Sequence, residues 1–287
     1  MQLLCLLMLV AAPRVIKPPG ATIEVTLPDE PFELPETALL EWLSASAKGV
    51  ASIFGKFPVS QAAIELEGRL GRGIGGTTYP NHRIEIRLGR GATAQDLAHD
   101  WVATHEMVHL GFPSLERRHH WLEEGLATYI EPLARVRRGG MTEATAWGDL
   151  TAGMPKGMPD DDDRGLDFTP TWGRTYWGGA IFWLLADVQI RERTHNAKGL
   201  PDALRGIVAA GGTIDASWAV TKVLETGDRA TGVPVLRELY EKMKDKPAPP
   251  DLADLWKRLG VVGRGSGVSF DEKAPLAAIR RAITKPD

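Results

Sequence analysis

The sequence predicts an α+β fold, with a small mixed sheet in its N-terminal part and a mainly helical C-terminal lobe. Two observations lead to this prediction. Segments in which apolar and polar residues alternate, the period of a strand, are concentrated before residue 94. Beyond that residue the apolar side chains recur at three- and four-residue spacing, the period of a helix. With 287 residues, 43% of them hydrophobic, the chain can bury a substantial core.

Residues 1–12, MQLLCLLMLVAA, form an apolar run that ends in small residues. Its length matches the hydrophobic part of a signal peptide and is too short for a stable membrane span. We therefore expect a signal peptide or weak anchor, and an exported protein in the periplasm or outside the cell. Because no Lys or Arg precedes the run and Pro13 follows the best cleavage site, a cytoplasmic protein is the alternative.

The sheet is predicted from three segments in the order of the chain. Alternation predicts strands over 21–27, 62–66 and 83–88, and apolar spacing predicts a helix over 37–54 between the first two. The glycine-rich stretch 71–76 is predicted to be a turn. It lacks the G-K-[ST] ending of a phosphate-binding loop, which disfavours a nucleotide site.

A helix is predicted over Ala94–Leu110, and it contains the pattern H-E-x-x-H. Its two histidines, His105 and His109, are four residues apart and share one face, so both imidazoles can reach one metal ion. Glu106 lies between them, where a carboxylate can hold the attacking water as a general base. Asp100, in the same segment, is expected to be a solvated helix carboxylate.

A catalytic zinc ion needs a third protein ligand and one open position. Helical spacing resumes at Trp121, after a Gly and a Pro that end the first helix. Glu123 and Glu124 compete for the ligand role, because adjacent helix positions differ by about 100° in direction. Glu124 shares its face with Thr128 and Glu131, a polar stripe that could support a histidine ligand. This favours Glu124, although the spacing alone leaves both open.

The segment W-L-E-E-G-L-A-T-Y, from Trp121 to Tyr129, resembles W-L-N-E-G-F-A-S-Y of the gluzincin metallopeptidases, the aminopeptidase N and glycyl aminopeptidase relatives. The resemblance implies a thermolysin-like metallopeptidase domain and a zinc-dependent peptidase that binds one Zn²⁺. In that segment the second acidic position is a zinc ligand, which maps to Glu124 beside His105 and His109. The loop before it is shorter than in aminopeptidase N.

In the gluzincins a strand before the H-E-x-x-H helix borders the cleft, where an extended peptide can add to its edge. We expect Arg83–Leu88 to be this strand. Aminopeptidase N carries G-x-M-E-N in this region, and its Glu anchors the free amine of the substrate. Here Gly75–Tyr79 supplies glycines without the Glu. By resemblance, an endopeptidase, or an exopeptidase with another anchor, is favoured over an aminopeptidase.

A further helix is predicted over Thr171–Thr194. The gluzincins carry Y-x-K-G-A at this place, and its Tyr hydroxyl hydrogen-bonds the oxyanion of the tetrahedral intermediate. The resemblance assigns this catalytic role to Tyr176, with Gly178 where the family has Lys. The plain alternative is that Tyr176 only packs. Tyr129 is its rival, but its place in the ligand helix favours packing.

Several polar groups receive structural rather than catalytic predictions. His119 and His120 are predicted in a loop or at a helix start, with substrate contact as the less favoured possibility. Residues 148–171 are predicted to form a solvated loop near the cleft, and Asp160–Asp163 lacks the spacing of a calcium loop. The basic cluster at the end of the ligand helix is predicted to be solvated. It consists of Arg135, Arg137 and Arg138.

The rest of the chain is predicted to be helical, with a final short strand. The predicted helices are 201–210, 217–225, 233–244 and 252–259, and the strand is 268–270. We expect a sheet-containing lobe with the zinc-binding helices over 21–135, and a helical lobe that completes the cleft over 136–287.

The net charge of −3 argues against a nucleic-acid partner, which requires a basic face. The expected partner is a peptide or protein substrate. Two alternatives stay open at this point. One is a zinc hydrolase of a non-peptide substrate, and the other is a catalytically silent peptide-binding relative.

Overall fold

The computed structural model describes residues 14–285. Its sheet is made of β1 (Arg14–Ile16), β2 (Thr22–Thr26), β3 (Gln61–Arg69), β4 (Ile74–Tyr79) and β5 (Arg83–Gly89). The strands lie in the order β1-β2-β3-β5-β4, with the three central strands parallel and the two outer strands antiparallel to their neighbours. The predicted small N-terminal mixed sheet is confirmed. The predicted signal peptide or anchor at residues 1–12 lies outside the described residues.

One face of the sheet is buried. Ile64 and Leu66 of β3 pair in register with Ile84 and Ile86 of β5, and all four side chains are buried. Helix α1 (Glu36–Phe54) connects β2 to β3 and adds its apolar side to the same core. The alternating pattern predicted these strands because successive side chains of a strand point to opposite faces.

The outer strand β4 corrects two predictions. The sequence predicts a turn over Gly71–Gly76, but the chain is already extended from Ile74. It also predicts that Arg83–Leu88 borders the cleft, but β5 lies between β3 and β4, so β4 is the edge. Glycines and threonines occupy β4, and its period of two is therefore invisible in the apolar pattern. The antiparallel hydrogen bonds to β5 supply the stability that side-chain burial does not.

Helices dominate the rest of the described chain, together with a two-stranded ladder. These elements are α2 (Ala94–His99), α3 (Val102–His109), α4 (His120–Arg137), α5 (Glu143–Gly153), α6 (Gly179–Arg193), α7 (Leu200–Ala209), α8 (Val220–Thr231), α9 (Val235–Met243), α10 (Leu252–Leu259), β6 (Val261–Val262), β7 (Ser269–Phe270) and α11 (Ala277–Thr284). The four helices predicted between residues 201 and 259 correspond to α7 to α10, although α8 begins three residues late. The strand predicted at 268–270 corresponds to β7.

The predicted helix Ala94–Leu110 is two helices, because the chain is extended at Asp100. The carboxylate of Asp100 accepts hydrogen bonds from the amides of Val102 (2.9 Å) and Ala103 (3.0 Å), the first amides of α3. It also accepts one from the indole of Trp42 at 3.0 Å. Asp100 is buried, so the prediction of a solvated carboxylate is wrong. The carboxylate supplies the acceptors that the first amides of a buried helix would otherwise lack.

Other polar groups predicted to be solvated are buried, as Arg135 and Asp163 are, or half-buried, as Arg137 is. Arg135 forms an ion pair with Glu131 at 2.9 Å. Arg137 donates to backbone carbonyls of α1 and α11. Asp163, from the acidic run, forms a buried ion pair with Arg174 at 2.7 Å. Each of these charges is compensated by a partner, which lies one turn away for Arg135 and in distant segments for Arg137.

The core is continuous between the N-terminal and C-terminal parts of the described chain. Buried apolar side chains from both parts form a single cluster. Helix α4 packs against α1, α3, α5 and α6, and is therefore central to the molecule. No helix within residues 14–285 is long and apolar enough to cross a membrane.

Candidate active site

Helices α3 and α4 pack together and bring three predicted ligands to one point. Nε2 of His105 lies 3.1 Å from Oε2 of Glu124, and Nε2 of His109 lies 3.7 Å from the same oxygen. Three possible ligand atoms, one from each residue, lie within 4.8 Å of one another. In a tetrahedral zinc site with bonds of about 2.1 Å, ligand atoms lie about 3.4 Å apart. The donor types and the spacing therefore fit zinc.

The protonation of these groups also suits metal binding. Burial, helped by the neighbouring His105, lowers the pKa of His109 to about 4, so its ring is neutral at pH 7 and can offer a lone pair. Burial opposes ionisation of Glu124. Hydrogen bonds from His105 and His120 outweigh that effect and hold the pKa of Glu124 well below its usual range. A neutral imidazole and an ionised carboxylate are the forms that coordinate zinc.

The structure separates the two competing carboxylates of α4. Glu124 faces the histidines, while Glu123 accepts a hydrogen bond from the amide of Leu115 at 2.7 Å. The other oxygen of Glu123 lies 2.6 Å from Nδ1 of His120. Glu123 therefore ties the start of α4 to the preceding loop and lies outside the ligand cluster.

Glu106 is held by the edge strand β4. The Thr78 hydroxyl lies 2.7 Å from Oε2 of Glu106 and donates to it. Gly76 allows this approach, because a Cβ added there would lie 2.4 Å from Cγ of Glu106. Burial raises the pKa of Glu106. The sequence analysis missed Thr78, and the available signal was the Gly-Gly-Thr-Thr run shortly before the β5 strand.

His120 is a second residue whose place the sequence analysis missed. Its Nδ1 faces Glu123, and its Nε2 lies 3.2 Å from Oε1 of Glu124, the oxygen turned away from His105. The hydrogen bond with Glu123, followed by that with Glu124, raises the pKa of His120 to about 10. Both ring nitrogens therefore donate. The adjacent His119 is separate, since it is buried with its Nδ1 3.0 Å from Asp167.

Tyr176 lies next to the cluster on an unusual turn. The predicted helix Thr171–Thr194 begins with a π-helical turn over Gly173–Gly178, and only then continues as α6. The Tyr176 ring stacks on that of His105 with centroids 6.3 Å apart. Burial, followed by the charge of Glu124, raises the pKa of Tyr176 to about 12, so its hydroxyl keeps a proton to donate.

The remaining candidates have structural partners. Tyr129 is buried and donates to Asp187 at 3.0 Å, away from the ligands. Glu131, on the predicted polar stripe, forms its ion pair with Arg135. Burial raises the pKa of Glu131 to about 7 despite that guanidinium.

Known proteins resemble this chain in fold. No protein-family model matches the sequence, and no curated protein matches it. An aminopeptidase N family protein from Idiomarina loihiensis has a TM-score of 0.65, with 16% identity, over 87% of this chain and 49% of its own. The chain has an M1 aminopeptidase-like fold.

Two further solved structures have the M1-like fold at lower similarity. The M1 zinc metallopeptidase from Deinococcus radiodurans has a TM-score of 0.52 and 18% identity, over 83% of this chain and 51% of its own. Legionella pneumophila aminopeptidase A has a TM-score of 0.52 and 12% identity, over 82% of this chain and 28% of its own. The chain therefore spans about half or less of the length of these proteins.

Proposed function

We propose that this protein is a zinc-dependent peptidase of the gluzincin type, with a thermolysin-like active site. The observation that carries the proposal is the convergence of His105, His109 and Glu124, with Glu106 and Tyr176 beside them. The fold supports it, because the solved structures with the M1-like fold include zinc metallopeptidases. One of these, from Deinococcus radiodurans, was solved as a mutant bound to the substrate Tyr-Ser-Ala, with a TM-score of 0.52.

His105, His109 and Glu124 would hold the zinc ion. Zinc at this position would polarise the scissile carbonyl and acidify the attacking water. Glu106 accepts the proton of that water and delivers it to the leaving amine. Thr78 fixes one oxygen of Glu106, which leaves the other free for the proton. Buried carboxyls with a raised pKa are suited to this double role.

Tyr176 supplies the donor for the charge that develops on the substrate oxygen. Its proton is retained at neutral pH, and its ring is fixed by stacking against His105. A preorganised donor of this kind stabilises the transition state more than the ground state. The π-helical turn is therefore part of the proposed catalytic geometry, since it sets the direction of the Tyr176 side chain.

We propose cleavage within peptides rather than removal of the first residue. The β4 segment carries no acid that could bind a substrate amine. The nearby cation Arg87 lines the same cavity and donates to the carbonyl of Gly76 at 3.1 Å. Glu85 neutralises Arg87 through an ion pair at 2.9 Å, so this wall of the cavity offers a substrate ammonium group no free carboxylate. Peptides with a blocked N-terminus should therefore be cleaved.

The test compares the wild-type protein with Glu106→Gln on a mixed peptide library that contains free and acetylated N-termini. We expect Glu106→Gln to retain one zinc ion and to lose about 10²- to 10⁴-fold in kcat, because it removes the general base. The control is Glu116→Gln, which changes an exposed acid of the loop before α4. Its kcat and zinc content should equal those of the wild type. Product mapping shows the cleaved bonds.

Assaying the same two proteins on esters and epoxides as well distinguishes the alternatives. Equal activity of Glu106→Gln and the wild type contradicts the assigned base. Turnover of esters or epoxides without turnover of peptides indicates a zinc hydrolase of a non-peptide substrate. Bound zinc with no turnover of any of these indicates a silent peptide-binding relative.

A further inference from the structure

Two cavities meet at the candidate site. The one that contains Glu106 and the three ligands has a volume of about 540 Å³. The other cavity is larger, about 730 Å³, and the proposed mechanism assigns it no role. Trp101, His105 and Tyr176 line both cavities. These three side chains therefore lie where the two cavities adjoin, so a substrate bound at the ligands borders the larger cavity.

A row of rings runs along this boundary and continues into the larger cavity. Trp172 stacks on Tyr176 with centroids 5.7 Å apart, and Tyr176 stacks on His105. Trp101 meets His105 edge to face, at 5.3 Å and 86°. Offset-stacked and edge-to-face pairs are the arrangements that aromatic rings favour, and an additional ring extends such a row readily.

Two tryptophans of this row are exposed. Trp101 retains 51% of its accessible surface and Trp172 retains 61%, whereas most large apolar side chains within residues 14–285 are buried. Exposed apolar surface beside a cavity marks a place where a ligand removes it from water. Tryptophan is also a residue that anchors binding through large contact area.

The charged groups around the larger cavity are mostly compensated. Arg135 is paired with Glu131 and donates to the carbonyl of His99 at 3.2 Å. Lys156 lies about 6 Å above the rings of Trp172 and Trp177. Asp149 also lines the cavity, and partial burial raises the pKa of its carboxyl. The contact surface left for a ligand is therefore largely aromatic and aliphatic.

We propose that the larger cavity is the subsite for a bulky aromatic side chain next to the scissile bond. The substrate class is then peptides with Phe, Tyr or Trp at that position. This inference rests on the proposed peptidase function, and it concerns which bonds are cleaved. The volume is in the range of ordinary ligand pockets and exceeds what a single aromatic ring needs.

Helix α5 offers a position for testing the cavity. Thr145 lines it and is exposed, so Thr145→Trp adds a ring to the cavity without disturbing a buried side chain. The matched control is Ala144→Trp, the same bulk on the neighbouring position, which does not line the cavity. Ala152→Phe fills the cavity from a second position, in case Thr145→Trp does not fold.

The experiment measures kcat/KM on peptide pairs that differ only in Phe or Ala beside the cleaved bond. We expect the wild type and Ala144→Trp to favour Phe by about tenfold or more, the discrimination a hydrophobic pocket can give. Thr145→Trp and Ala152→Phe should bring this ratio close to one. Equal ratios in all four proteins overturn the subsite and leave the peptidase function intact.

A second measurement does not depend on turnover. In the Glu106→Gln variant, intrinsic tryptophan fluorescence reports binding of N-acetyl-phenylalaninamide and N-acetyl-alaninamide. We expect a saturable change with the Phe compound alone, lost in Thr145→Trp. No difference between the two compounds overturns the subsite. Binding of the Phe compound by Glu106→Gln, together with no peptide cleavage by the wild type, supports the subsite and contradicts the proposed function.

Discussion

At the scale of single residues, the two tyrosines near the ligand helix differ in what their hydroxyl groups contact. Tyr129 lies on α4, is buried, and donates to Asp187, which also accepts a hydrogen bond from Arg191. Tyr176 is half-buried beside His105 and close to Glu124 and Glu106. Removing the oxygen from each tyrosine therefore affects different properties of the protein.

Tyr176→Phe should lower kcat by about 10²- to 10³-fold, the effect of losing one oxyanion donor. Its stability should be unchanged. Tyr129→Phe should keep kcat but lower the free energy of unfolding by about 1–3 kcal/mol, since Asp187 loses a buried donor. Steady-state kinetics and urea unfolding of both variants check this. A kcat loss in Tyr129→Phe alone would reverse the assignment of the two tyrosines.

We predict that His120 is a positioning residue, which would act on the metal ion through Glu124. It spans Glu123 and Glu124 and donates to the Glu124 oxygen that does not face His105. Glu123 is in turn fixed by the amide of Leu115. A group that hydrogen-bonds the second oxygen of a ligating carboxylate fixes its orientation before the metal binds. Metal binding then costs less conformational entropy, so the affinity is higher.

His120→Ala should weaken zinc binding by about 10- to 100-fold, the typical cost of losing such a partner. His120→Gln should recover part of the affinity, because its amide can donate to Glu124. Arg117→Ala, an exposed cation of the same segment, is the control for lost charge. Competition with a chelator measures the affinities. Equal zinc affinity in His120→Ala and Arg117→Ala contradicts the role.

At the scale of elements, the break between α2 and α3 sets the start of the helix that carries His105 and His109. Asp100 accepts hydrogen bonds from two amides of α3 and from Trp42 of α1. This fixes where α3 begins relative to α1 and therefore where His105 and His109 point. The exposed start of α2 has its own capping box, formed by Thr93 and Asp96.

Asp100→Ala should lower the free energy of unfolding by about 2 kcal/mol, the upper end for loss of a cap, because the Trp42 indole also loses its acceptor. Asp96→Ala should have a smaller effect, since water can replace the carboxylate at an exposed helix start. Urea denaturation of the zinc-free proteins checks this. Asp96→Ala proving the more costly substitution would contradict the burial argument.

The π-helical turn is a second element whose geometry the packing requires. Gly179 follows this turn, and a Cβ there would lie 2.1 Å from the carbonyl oxygen of Trp121. Gly125 lies on the facing helix α4, and a Cβ there would lie 2.3 Å from the backbone of Gly179. The backbones of α4 and α6 therefore touch, which brings Tyr176 to the ligands. Such π turns occur often at functional sites.

At the scale of the whole molecule, the candidate site depends on one central helix. Helix α4 carries Glu124 and packs against helices from both parts of the chain. The division into lobes over 21–135 and 136–287 stays a prediction. The site nevertheless draws on both ranges, because Glu106 and Glu124 lie in the first and Tyr176 lies in the second.

Local patterns in the sequence predicted much of the fold and part of the site. The strands β2, β3 and β5 follow from alternation, and most helices follow from apolar spacing. The pair His105 and His109 follows from helical periodicity. Each of these features repeats within a few residues, so neighbouring side chains are sufficient to reveal it.

The tertiary structure decided the features that depend on distant segments. The choice of Glu124 over Glu123 depends on how α4 rotates against α3, and the edge position of β4 depends on its pairing with β5. The burial of Asp100 depends on Trp42, which lies far away in the chain. The sequence by itself determined which groups could bind a metal ion. Long-range packing determined which of them face it, because the cost of burying a charge is set by partners that only folding brings close.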